Sequence, residues 1–113
     1  PLDGARATVV MCPGLEGTYD SALDGVLRER NARCVVIVGF GLEGPVHSTM
    51  RGLNDRGYEC LLITDACTAI DEHDRPGAVS SIEMSGGIFG ALGTTAALLD
   101  ALPLPPQPLE ATP

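Results

Sequence analysis

The sequence contains no tryptophan, and Phe and Tyr together make up only 4% of it, so a core must be built from Val, Leu, Ile and Ala. Aliphatic, β-branched interiors of that kind favour parallel strands buried between helices. No run of about 18 apolar residues occurs, which excludes an apolar membrane-spanning helix. Basic residues are few, 7 against 15 acidic ones, and the net charge of −8 argues against nucleic acid or an anionic membrane as partner. Histidine is limited to His47 and His73, and none of Cys12, Cys34, Cys60 and Cys67 forms a Cys-x-x-Cys pair. A structural zinc site is therefore not expected, and no other metal or cofactor is called for. Pro1-Leu2-Asp3-Gly4 lacks the basic stretch and apolar block of a secretory signal. The cysteine usage suits a reducing compartment, and the expectation is a cytoplasmic protein.

What is present suits one globular domain: 113 residues, 44% hydrophobic, with a mean hydropathy of +0.17. Apolar runs alternate with helix-like stretches, the signature of βαβ units. Ala7 to Met11 has the pattern of a first short strand. Thr18 is placed to cap a helix through Leu23, Val26 and Leu27, ending near Asn31. Cys34 to Val38 is a continuous apolar run, expected to be a central strand buried on both faces. Cys34 and Cys60 open apolar runs and are expected to be small buried hydrophobes.

A glycine-rich turn, Gly39 to Gly44, leads into a helix from Pro45 to about Arg56, with Gly57 as its C-terminal stop. Tyr58 to Thr64 is a third strand, residues 66 to 77 a loop broken by Pro76-Gly77, and Ala78 to Met84 a short helix. Ile88-Phe89 is placed to begin a fourth strand, and Thr94 or Thr95 to cap a last helix ending near Leu102. The domain is thus expected over residues 1–102, followed by a proline-rich tail, 103–113, too rich in Pro to form helix or sheet.

Gly39-Phe40-Gly41-Leu42-Glu43-Gly44 matches the dinucleotide fingerprint G-x-G-x-x-G, after a strand and before a helix, with Asp65 available for a ribose hydroxyl. A dinucleotide-binding module through Gly39, Gly41, Gly44 and Asp65 is one alternative. Against it, a strand and helix precede the motif, and Pro45 removes an N–H from the turn that should face phosphate.

The longer run Gly39-Phe40-Gly41-Leu42-Glu43-Gly44-Pro45-Val46-His47-Ser48-Thr49-Met50-Arg51 continues through Asn54-Asp55-Arg56-Gly57-Tyr58 to Asp65-Ala66-Cys67. It resembles the isochorismatase-like cysteine hydrolases, whose pattern is roughly G-V-x-T-E-V-C-V-x-x-T-x-R, then N-D-R-G-Y/F, an apolar strand and D-A/C. Gly39, Glu43, Val46, Thr49, Arg51, Asn54 to Tyr58 and Asp65 match without gaps. Pro13 to Arg30 resembles an upstream segment of the family, and Gly86 to Gly90 its ending. His73 falls where many members carry a histidine. The resemblance covers about residues 9 to 102, the C-terminal half of such a domain.

That resemblance implies an α/β fold, a three-layer α/β/α sandwich with a parallel sheet, here incomplete on its N-terminal side. It also implies an Asp–Lys–Cys triad hydrolysing C–N bonds in small amides, with a thiolate favoured at a helix N-terminus and backbone amides stabilising an oxyanion. Carried over, the nucleophile position is Pro45, the lysine position Cys12 and the threonine of the T-E pair Leu42, while the aspartate belongs to a strand outside the chain. Proline suits the first helical position, so the substitution keeps the fold while removing the chemistry. Cys12, Tyr19, Leu42, Glu43, Gly44 and Pro45 are the pocket candidates. His47 is expected to be an exposed helix residue, and Asp55-Arg56 a local ion pair.

The expectation is a catalytically inactive or altered homologue with a binding or assembly role. The alternative is an active cysteine-type hydrolase of C–N bonds, using Cys12 or a residue outside this chain on a small amide-like ligand. Half a sheet leaves an open edge, so a homo-oligomer, or pairing with a relative or a missing N-terminal segment, is expected.

Overall fold

A computed structural model describes residues 7–103 of the chain. Their elements, in order, are helix α1 (Leu23–Glu29), strand β1 (Cys34–Phe40), a π-helical turn (Leu42–Val46) running into helix α2 (His47–Asp55), strand β2 (Glu59–Thr68), a 3-10 turn (Glu72–Asp74), helix α3 (Arg75–Glu83), strand β3 (Ala91–Gly93) and helix α4 (Thr95–Ala101). The three strands form one parallel sheet in the order β1-β2-β3. This is the α/β architecture the sequence pattern implies. No helix among the described residues is long and apolar enough to cross a membrane.

One face of the sheet carries the core. Ile37 of β1 and Cys60, Leu62 and Cys67 of β2 pack with Leu42, Val46, Met50 and Leu53 from the turn and α2, and with Ala78 and Ile82 of α3. Leu23 and Leu27 of α1 close its edge. Alternation sends Ile63, also buried, to the other side of β2, against which α4 packs. Helix α2 ends as foreseen at Gly57, whose left-handed backbone lets the Gly57 and Tyr58 amides return to Asn54 O and Leu53 O. Thr94 caps α4, its hydroxyl accepting the Ala97 amide.

Several expectations are corrected. Residues 7–12 form no strand, since the sheet has no ladder there for them to join. Thr18 does not cap α1, which begins after Ala22; it is buried, with its amide and hydroxyl on the Glu16 carboxylate. β1 is not buried on both faces. It lies at the sheet edge and exposes Val36 (47%), Val38 (54%) and Phe40 (69%), together with Cys34. The expected loop 66–77 is shorter: β2 runs on to Thr68, a loop and the 3-10 turn span 69–74, and Pro76-Gly77 fall in the first turn of α3, where a proline lacks no needed donor. The last strand is Ala91–Gly93 rather than Ile88-Phe89. Arg56 pairs with Asp24 across the structure, not with its neighbour Asp55. Of the proline-rich tail, residues 104–113 lie outside the described residues.

Candidate functional site

The β1–α2 connection must reverse the chain within a few residues at the carboxyl end of the sheet, where ligands of α/β proteins bind. Gly41 makes the reversal with φ of +91°, and its N–H donates to Thr68 O at 2.7 Å. A side chain there would meet the Pro45 ring, 2.7 Å from a Cβ. The Gly44 and Val46 amides both donate back to Gly41 O, at 3.0 and 3.1 Å. Pro45 is not the expected first residue of a helix but the fourth of the π-helical turn Leu42–Val46, because the turn begins directly after Gly41. It has no N–H, so much of the turn's donor capacity is spent internally or missing.

Glu43 organises the opposite wall. Its two carboxylate oxygens accept the Ile70 and Asp71 amides, each at 2.8 Å, which holds its carboxyl below the usual carboxylate range. The loop so tied places the Ile70 Cδ1 methyl 3.0 Å from where a Cβ on Gly44 would stand. Leu42 is fully buried (0%) in the core rather than lining a pocket.

Segment 12–18 lies along α2. Thr49 Oγ1 accepts the Gly17 amide at 2.8 Å, and the Glu16 carboxylate occupies the space beside Gly52, leaving no room for a side chain at that position. Pro45, Thr49 and Gly52 share one helical face. Cys12 is exposed, its thiol donating to Gly17 O at 3.3 Å, so its link to the Pro45 face runs through Gly17 and Thr49. Tyr19 is exposed (63%), its ring beside Gly14. The structure thus gathers Glu43, Gly44 and Pro45 in one turn, brings the Cys12 segment alongside, and leaves Leu42 inside and Tyr19 outside.

An open cavity of about 350 Å³ adjoins the turn, lined by Glu43, His47, Asp74, Gly77, Ala78 and Ser81. His47 is half-buried rather than exposed, because α3 packs against the helix start; its Nε2 is buried without a partner among the described residues. Burial, and then Arg51, push its basicity down. His73 is exposed in the 3-10 turn before α3, its amide donating to Asp71 Oδ1. The Asp65 carboxylate accepts the Thr95 amide and hydroxyl, which fixes α4 to β2 and occupies one of its oxygens with both bonds. Arg75 was not singled out from sequence, yet it closes the end of β2 through Thr64 O and Cys67 O while pairing with Glu72. Its only sequence signal was its place just before Pro76 at a helix start. No three His, Cys, Asp or Glu side chains among the described residues gather as a metal site.

The sequence model of the Isochorismatase domain matches residues 4–97, and the chain belongs to that family. Solved structures agree on the fold. An isochorismatase-like hydrolase from Alkaliphilus metalliredigens superposes with a TM-score of 0.78 at 19% identity, over 85% of this chain and 51% of that one. A nicotinamidase from Staphylococcus aureus gives 0.72 at 17%, over 82% and 57%. An N-carbamoylsarcosine amidase from Thermoplasma acidophilum gives 0.68 at 23%, over 80% and 49%. The chain spans about half the length of these structures.

Proposed function

We propose that this chain is an isochorismatase-like protein without cysteine-hydrolase activity that serves as a binding or assembly subunit. The observation that carries the reading is Pro45, in the π-helical turn that leads into α2, at the position where the family resemblance puts the nucleophile, with its ring against Gly41 and no N–H to offer an oxyanion. All seven basic side chains of the chain are arginine, so no lysine elsewhere in it can stand in at the position of Cys12. Burial pushes the Cys60 and Cys67 thiols up, which makes them poor nucleophiles. The assembly role is supported by β1, a seven-residue edge strand with no charge and no proline, flanked by its exposed Val36, Val38 and Phe40. Soluble proteins protect such edges. Its occupant in this reading is a further strand and helix from an isochorismatase-like half, supplied by a longer chain or by a relative.

The experiment is to assay the purified chain on a panel of small amides, including nicotinamide and N-carbamoyl amines, and to measure its mass under native conditions with and without an N-terminal half of a family member. The expected result is no turnover, and a stoichiometric complex that protects β1 amides from hydrogen exchange. Turnover abolished by Cys12→Ala would establish the active-hydrolase reading instead; a monomer with unprotected β1 amides in every mixture would remove the assembly role.

A further inference from the structure

The end of the sheet opposite the Gly41–Pro45 turn holds a second cavity, about 360 Å³, where α1 and α2 end and β1 and β2 begin. Its lining includes Arg28, Arg33, Arg56, Cys34, Tyr58 and Glu59. Three of the seven basic residues of a chain with net charge −8 therefore converge on one cavity.

Two of the three are held in place. Asp24 accepts Arg28 Nε at 3.1 Å and the Tyr58 hydroxyl at 2.6 Å on one oxygen, and approaches Arg56 Nη1 at 3.6 Å with the other. The Arg28 guanidinium also stands over the Tyr58 ring, 5.5 Å from its centre, and reaches Arg56 O. One carboxylate thus orients two guanidinium groups without neutralising both. Arg33, at the entry to β1, makes no ion pair among the described residues. Set against Asp24 and Glu59, the three arginines leave one positive charge in excess. Part of this cluster answers the carbonyl ends of α1 and α2, which accounts for Arg28 and Arg56 but not for Arg33.

We infer that this cavity is a binding site for a small oxyanion, a carboxylate or phosphate group, held between the fixed Arg28–Arg56 wall and Arg33. Guanidinium forks match both groups in a bidentate geometry, and the cavity is within the size range of small-molecule sites. The inference does not depend on the reading of the Pro45 site.

Cys34 lines the cavity and is exposed, so it reports on the site directly; Cys12, exposed elsewhere, is the internal control. The two cysteines are alkylated in parallel with anionic iodoacetate and neutral iodoacetamide, and modification is mapped by peptide mass. The iodoacetate-to-iodoacetamide rate ratio at Cys34 is expected to exceed that at Cys12 by about 5-fold, through local concentration of the anion. The excess should fall in high salt and in Arg33→Gln, with Cys12 unchanged as evidence of an intact fold. Inorganic phosphate or acetate should protect Cys34 saturably from iodoacetamide, and the more effective of the two identifies the group. Arg56→Gln, on a different element, should weaken that protection as well. Absence of saturable protection by either anion overturns the site, whatever the rate ratio.

Discussion

The Glu43 carboxylate receives the Ile70 backbone N–H at 2.8 Å, and through that bond the turn before α2 and the loop after β2 become one unit. The Asp71 amide doubles the link. Glu43→Ala should therefore free residues 69–72 before it affects the core, seen as faster amide exchange at Ile70 and Asp71 with little change at Leu62. Because the folded carboxyl is held below its ordinary value of 4.5, it contributes stability that is complete above that pH and is lost as pH falls through the folded value. Acid melts of Glu43→Gln should be shallower than wild type below pH 4.5, and parallel to it above.

His47 makes the protein acid-sensitive too, but through a neutral group whose charging burial disfavours. Its burial lowers the folded basicity from 6.5, so the unfolded chain takes up the proton first as pH falls. Stability is therefore full above pH 6.5 and declines as pH drops from there toward the folded value. His47→Leu removes both the titration and the unpaired Nε2, and should stabilise the protein by about 1 kcal/mol at neutral pH. Thermal melts between pH 5 and 8 would show the wild-type slope vanish in the variant; a retained slope would place the titration elsewhere.

Much of the fold is legible in the sequence because local rules and tertiary packing agree there. The apolar runs at Cys34 and Tyr58, the left-handed Gly57 and the Thr94 cap all describe what their own neighbours dictate. The errors fall where the sequence is silent about company. The pattern Cys34-Val-Val-Ile-Val38 promises burial on both faces, but periodicity does not say whether a layer exists to cover the second one. Ala7 to Met11 has strand propensity without a strand to pair with. Pro76-Gly77 look like a break until Asp74 and Arg75 are seen to make them a first turn. At the site, Gly41, Glu43 and Pro45 were visible as a motif, whereas the Ile70 contact and the Gly17–Thr49 bond join positions 26 and 32 residues apart, and no local pattern encodes them.

Leu42 tests how far the turn has been recruited to the core. With a fully buried side chain, Leu42→Thr, which introduces the residue found in the family's T-E pair, places a hydroxyl in the apolar core cluster. The expected cost is about 3 kcal/mol, from lost apolar volume and an unpaired hydroxyl, measured by urea unfolding. A cost near zero would mean that the hydroxyl finds a partner and that the turn keeps the older pocket geometry.

Val38 offers the cleanest probe of the uncovered strand. Its side chain is largely exposed on β1, away from the core cluster that Ile37 joins, so charge there has little folded-state contact to break. Val38→Lys should leave the unfolding free energy of the isolated chain, from urea titration, within about 0.5 kcal/mol of wild type while raising its solubility, because a lysine on a free edge blocks strand addition. The same substitution should abolish the complex with an isochorismatase-like N-terminal half, since the lysine would be buried without a counter-charge at the junction. The two readouts separate the roles of the strand: a variant that is stable and soluble but still forms the complex would show that the partner does not cover Val38, and that the exposed stripe on β1 serves some other contact.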